Sequence, residues 1–405
     1  MTQGSSTEPA TASRGHAPGL VLLALALGGF AIGTTEFASM SLLPYFARSL
    51  GVDAPTAGHA ISAYALGVVV GAPVIAVAAA RLPRRLILVG LMVVFAVGNL
   101  LSAVSPNFQA MLLFRFLSGL PHGAYFGVAA LVAASVAPPE RRAQSVAMVM
   151  IGLTVATIIG VPMANAVGQW IGWRWGFVIV TVIAALTAVS VYLFAPRDAA
   201  HPGASPLREL GALGRGRVWL TLAIGAIGFG GMFCVYTYLA STMQEVTHAS
   251  PAALPFVLAV FGAGMTVGTL ACAWAADRAQ IPAIGGVLLW SAGALALYPM
   301  ATHSLWTLIP VVFLIGCGGG LGAVLQTRLM DVAGDAQTLA AALNHSAFNF
   351  ANALGPWLGG LAIAAGYGWA STGYVGMALA LGGFAIWLVA AVDARRTRLA
   401  VAAAE

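Results

Sequence analysis

Charge is what this sequence has least of. Of its 405 residues only 7% are charged, lysine does not occur at all, and 60% are hydrophobic. A soluble chain carries roughly 25% charged residues, so this one cannot cover a water-soluble globule. Cysteine is scarce too. Cys234, Cys272 and Cys317 lie far apart in apolar stretches, with neither disulfide nor metal-ligand spacing. Strict two-residue alternation is missing, which argues against a membrane barrel. A Walker A sequence is absent, so a gradient rather than bound nucleotide is the expected energy source. The clusters that an intramembrane enzyme needs, such as H-E-x-x-H, paired Asp, or Ser with His near one interface, are also missing, and no catalytic residue, metal or cofactor is expected.

What the chain does have is apolar runs near the ~20 residues that span a bilayer core. In lipid every backbone polar group must be satisfied internally, so the runs are read as helices and the chain as an all-α, multi-pass membrane protein. The 49 glycines suit close helix packing in lipid. Residues 1–18 are polar and lack a basic cluster or cleavage site, and the run after them is too long for a signal-peptide core. They are read as a disordered cytoplasmic N-terminus before an uncleaved first span.

Breaks at charged or Pro/Gly-rich turns give twelve spans: 19–46, 55–80, 86–104, 109–136, 143–168, 174–195, 218–243, 252–276, 282–302, 306–328, 338–366 and 371–392. With both termini cytoplasmic, Arg48 and Arg174 fall outside, Arg115 falls within a span, and the other fifteen of eighteen arginines fall inside. That asymmetry follows the positive-inside rule and explains the net charge of +6 without nucleic acid. The longest connection, 196–217, divides a six-helix half (19–195) from a second (218–392), with a cytoplasmic tail at 393–405. AAARLPRR after span 2 is echoed by AADRAQIP after span 8, and GVPMAN in span 5 by GPWLGG in span 11. Paired features suggest two pseudo-repeats about an axis along the membrane normal.

Several stretches carry a resemblance that covers essentially the whole chain. They are IGTTEF with SLLPYFARSL in span 1, YALGVVVGAP in span 2, RLPRR after it, and RFLSGLPHGAYFG in span 4. GVPMANAVGQWIGWRWGF over spans 5 and 6 and NHSAFNFANALGPWLGG in span 11 complete the set. Together they resemble a major facilitator superfamily transporter of the twelve-span drug:proton antiporter type, similar to bacterial arabinose, purine-nucleoside and chloramphenicol exporters. The resemblance implies the major facilitator fold, a monomer in the bacterial inner membrane, and helices 1 and 4 facing a central cavity. It also implies gating at the loop after span 2, where the family pattern resembles G-x-L-x-D-R-x-G-R-R. Here Ala76, Ala80 and Pro83 replace two glycines and the acid, leaving Arg81, Arg84 and Arg85. Asp277 and Arg278 keep an acid–base pair in the second half, the expected site of a cytoplasmic latch.

Two formal charges fall well inside spans, Glu36 and Arg115. Such groups are costly in a bilayer and are functional candidates by default. Both sit in the outer half of their spans, so an interaction between them is expected. Burial disfavours an ionised carboxyl and a guanidinium favours it, a balance suited to loading and unloading a proton. Packing through a hydrogen bond to Thr34, Thr35 or a neighbouring helix is the structural alternative for Glu36. Arg115 can act only electrostatically or as a tie to backbone carbonyls. His122, seven residues on, shares its face and suits a proton relay or simple packing. Gly119, Gly123 and Gly127 are expected to make a close helix crossing.

Span 11 carries a polar stripe: His345, Asn349, Asn352 and Pro356 follow i, i+4, i+7, i+11 spacing. Asn349, Asn352 and His345 are candidate substrate contacts, with Gln326 of span 10; hydrogen bonding between helices is the alternative. Phe229, Phe233 and Tyr236 share a face of span 7, either core packing or a stacking surface, which makes Phe233 and Tyr236 further candidates. Gly160 with Pro162, and Gly355 with Pro356, are candidate bending points in matching positions of the halves.

The reading that follows is a secondary transporter that moves a small organic molecule outward in exchange for protons by alternating access. Proton-coupled or facilitated uptake of a sugar-like solute is the alternative within transport, and a membrane enzyme or sensor the alternative outside it.

Overall fold

The computed structural model describes residues 18–79, 82–138, 141–197, 214–333 and 337–402. Arg81, residues 1–17 of the expected N-terminal tail and most of the expected linker lie outside the described residues.

Helices dominate. In chain order they are α1 (Pro18–Ser41), α2 (Leu43–Leu50), α3 (Ala54–Ala79), α4 (Arg84–Ala103), α5 (Phe108–Ser135), α6 (Arg142–Val155), α7 (Val161–Trp170) and α8 (Trp173–Phe194). There follow α9 (Gly216–Gly228), α10 (Gly230–Glu245), α11 (Leu254–Ala301), α12 (Leu305–Cys317), α13 (Leu321–Ala333), α14 (Gln337–Ala362) and α15 (Ser371–Ala402). A π-helical turn, Ala156–Gly160, joins α6 to α7, and a second, Ile363–Tyr367, follows α14. Ten helical stretches among the described residues are long and apolar enough to cross a membrane. Two details depart from the expected boundaries. The segments expected at 252–276 and 282–302 form one helical stretch, interrupted only at Ala279 (φ −157°, ψ 81°). The last helix continues past 392 to Ala402, because its Asp393-Ala-Arg-Arg continuation is made of residues that tolerate helix and Asp393 is held by Arg217 at 2.8 Å.

The apolar core shows how the helices are arranged. One large buried cluster joins first-half residues such as Phe37, Leu43 and Phe46 to second-half residues such as Phe233, Tyr238 and Phe261. Towards the opposite end, where Arg142 and Met330 lie, the core divides. Val21, Leu88, Phe95 and Val132 form a cluster wholly within the first half, and Val218, Leu222 and Leu329 one wholly within the second. A shared core at one end and separate cores at the other leave a space between the halves, closed above and open below.

At the closed end α3 packs along α14, and the π-helical turn and α7 pack against α11. Ser62 donates to the Ala353 carbonyl at 3.0 Å, Gln169 to that of Pro251 at 3.1 Å, and the Tyr238 hydroxyl to that of Pro356 at 2.9 Å. Glycine permits a close crossing within the first half, where a Cβ on Gly67 of α3 would collide with the Phe116 carbonyl of α5.

Candidate functional site

The space between the halves is a cavity of about 830 Å³. Its walls come from α1, α5, α6, α10, α11, α13 and α14, with Phe229 from the junction before α10, and include Glu36, His122, Phe233, Gln326, His345 and Asn349. Arg142 and Met330 line its open end.

Glu36 sits at the inner end of this cavity, and α1 explains its direction. Successive helical residues turn by about 100°. Thr35 and Ser39, one turn apart, face α5, and Glu36 is therefore rotated towards the other half. There Asn352 Nδ2 of α14 donates to Glu36 Oε1 at 3.0 Å, a hydrogen bond between two buried side chains 316 positions apart.

Arg115 faces the other side of the same turn. It is fully buried, donating to Ser39 Oγ at 3.1 Å and to Thr35 Oγ1 at 3.4 Å, with its guanidinium 4.3 Å from the centre of the Tyr64 ring. Among the described residues Arg115 makes no salt bridge to Glu36 and meets it through charge alone; its direct partners are two hydroxyls and the ring faces of Tyr64 and Phe177. Thr35 in turn donates to Asn99 Oδ1 at 2.6 Å, tying α1 to α4. The Tyr64 hydroxyl and His122 Nδ1 share a hydrogen bond of 2.9 Å. Tyr64 thus links Arg115 to His122, the two residues whose spacing placed them on one face of α5.

The sequence model of the Major Facilitator Superfamily matches residues 25–327 and, in a second overlapping match, 222–405. The chain belongs to that superfamily. It is 39% identical to the inner membrane transport protein YdhP of Escherichia coli (strain K12), over 91% of this chain and 94% of that one. It is 35% identical to a chloramphenicol resistance protein of Streptomyces lividans, over 83% of this chain and 87% of that one. The fold is similar to the crystal structure of the nucleoside transporter NupG, with a TM-score of 0.72 at 13% identity, covering 91% of this chain and 99% of that one.

Within this superfamily member, the other expected site residues fall into three groups. Asn349, His345, Gln326 and Phe233 line the cavity, with His345 stacked on Phe126 at 4.9 Å and 3° between planes. His122 lines it too, its ring 6.0 Å from that of His345.

Asn352 and Tyr236 do not line it. Asn352 is engaged with Glu36, and Tyr236 packs into an aromatic plug above the cavity, with ring centres 4.4 Å from Phe261 and 5.3 Å from Phe37. Phe229 and Phe233 keep the expected shared face, touching edge-on and both lining the cavity, and Phe233 and Tyr236 both meet Phe37, but Tyr236 lies beyond the cavity wall.

The gating candidates divide in the same way. Gly160 ends the π-helical turn and Pro162 stands in the first turn of α7. Gly355 lies where α14 crosses α10 so closely that a Cβ would strike the Gly230 carbonyl, and the Pro356 carbonyl accepts from Tyr238. In this form, with the cavity open at their end, Asp277 and Arg278 show no bond across helices among the described residues. Arg278 folds back on its own helix, 3.7 Å from the Trp274 ring centre and donating to the Trp274 carbonyl at 3.0 Å. The tie near them is Gln280 Nε2 to Asp331 Oδ2 at 2.8 Å. Arg85 lies over the Tyr192 ring at 4.5 Å, and Arg84 next to it opens α4.

Sequence reasoning missed Tyr64, Asn99 and the cavity-lining Phe37, Phe126 and Phe348. Tyr64 stood in the quoted YALGVVVGAP stretch, but nothing in its spacing marks the two partners it joins.

Proposed function

We propose that this chain is a secondary exporter of the bacterial inner membrane, moving a small organic molecule outward in exchange for protons. Twelve crossings in two six-helix halves, with both termini cytoplasmic, place the open end of the cavity on the cytoplasmic side. The chain works as a monomer, and its partners are the substrate, protons and the bilayer.

The observation that carries this reading is the position of Glu36: a carboxylate at the cavity wall, held by a residue of the opposite half. The physical sequence is direct. With the cavity open to the cytoplasm, substrate enters and displaces the proton from Glu36. The ionised carboxylate then has substrate and Asn352 as its partners. The halves rock about the central site, closing the open end and opening the closed one; substrate leaves, and a proton from outside reloads the acid before return. Arg115 stabilises the ionised state from behind the turn, and Tyr64 and His122 connect it to the cavity. The conformational candidates Gly160, Pro162, Gly355 and Pro356 sit where the helices of the two halves are irregular or closest.

The test is a panel of aromatic drugs, nucleosides and sugars offered to proteoliposomes carrying an imposed pH gradient. Accumulation of a panel member that requires an acidic lumen and collapses when the gradient is dissipated supports antiport. Transport indifferent to the gradient overturns proton coupling and leaves facilitated movement.

A further inference from the structure

The cavity walls differ from those of a site built for a sugar. Five phenylalanines line it: Phe37, Phe126, Phe229, Phe233 and Phe348. Phe229 meets Phe233 and Phe348 edge-on, at ring centre separations of 5.3 and 4.7 Å, and Phe126 lies flat against His345. Surfaces of this kind favour a flat ring, by edge and by face.

Several of the polar groups among these walls are committed within the protein, and Glu36, at the inner end, is bonded to Asn352. Gln326 Oε1 accepts from Asn344 at 2.6 Å, and His122 Nδ1 is bonded to Tyr64. The hydroxyls of Thr157 and Thr266 donate to their own helices, at 2.8 and 3.0 Å. Asn349 Nδ2 donates to the His345 carbonyl at 3.0 Å, yet Asn349 Oδ1 has no donor although the residue is only 2% exposed. A buried acceptor left without a donor is uncommon in a folded protein and calls for an explanation. Here the explanation is at hand, because Asn349 is part of the cavity wall.

A polyhydroxylated ligand would have to bury many donors and acceptors among phenyl rings, each costly without a partner. An anion fares no better. Arg115 is not among the lining residues, and Arg142 at the open end is exposed.

We propose that the cavity takes a flat aromatic molecule that donates one hydrogen bond to Asn349 Oδ1, and discriminates against sugars and anions. The proposal rests on reading this cavity as the substrate site and assigns its ligand class.

The experiment is equilibrium binding to the full-length protein in detergent, with no pH gradient. The probes are acridone, N-methylacridone (the same rings without the N–H) and D-glucose. A hydrogen bond to an otherwise unpaired buried group discriminates by about tenfold or more, so acridone binds about tenfold more tightly than N-methylacridone. Glucose does not displace it. In Asn349→Leu the two acridones bind alike, the preference for the N–H compound being lost. Phe233→Ala weakens both together. Equal binding of the two acridones by the wild type, displacement by glucose, or a preference that survives in Asn349→Leu each overturns the proposal. The wild-type comparison decides even if the variant does not fold. Without a gradient, failure here leaves proton coupling untouched, and failure of proton coupling leaves this binding preference untouched.

Discussion

Asn352 of α14 donates its hydrogen bond to the Glu36 carboxylate of α1 at 3.0 Å, joining the two halves at the inner end of the cavity. Breaking a buried bond of this kind leaves its acceptor unpaired, at a cost of about 1–3 kcal/mol.

Asn352→Leu therefore shifts the protein away from the form closed at the Leu50 and Ser250 end. Spin labels flanking those positions are expected to show a larger long-distance population than in the wild type. An unchanged distance distribution would mean the bond contributes nothing to closure.

Arg115→Lys keeps the charge but loses the planar fork on Thr35 and Ser39 and the stacking over Tyr64. A loss of about 1–3 kcal/mol is expected, read as a lower Tm of the solubilised protein. Arg115→Leu additionally removes the positive charge nearest the Glu36 turn. It is expected to shift the pH dependence of transport, which a purely packing role for Arg115 would not do.

Two glycines of the first half should behave oppositely. Gly67→Ala drives a methyl into the Phe116 carbonyl, a backbone atom that cannot turn aside, and costs about 1–3 kcal/mol. Gly127→Ala meets nothing within 4 Å and leaves the Tm unchanged. Thermal denaturation of the two variants side by side makes the comparison.

The Gly119, Gly123, Gly127 row shows what the sequence could and could not convey. Steps of four advance a helix by about 40° beyond full turns, so the row drifts across the surface. Gly119 and Gly123 meet α3, whereas Gly127 has turned onto the cavity wall. The apolar runs were legible because a bilayer demands them, and Glu36 and Arg115 because charge is rare there. Their partners were not legible. Asn352 is 316 positions from Glu36, and which way a side chain points within one helical turn depends on neighbours that no local pattern names. Where Arg278 rests was equally illegible, since Trp274, one turn back on the same helix, holds the guanidinium in this form.

Outside the membrane, Asp53 caps α3 by accepting from the Thr56 amide at 2.8 Å. Bonds from the Thr56 side chain and backbone hold its carboxyl below the ordinary value. A depressed folded value means the cap stabilises above the unfolded value and is lost as pH falls through the folded one. Asp53→Ala is expected to cost about 1 kcal/mol at neutral pH and progressively less in acid. Tm measured against pH for both proteins checks the sign.

Glu36→Gln tests the central claim most directly, because it keeps the shape and hydrogen-bonding capacity of the side chain and removes its ability to carry a proton. The measurement is substrate-driven proton movement across proteoliposomes, with substrate binding followed in parallel. The account predicts that proton movement disappears while binding persists. Proton exchange at the wild-type rate in Glu36→Gln would contradict it.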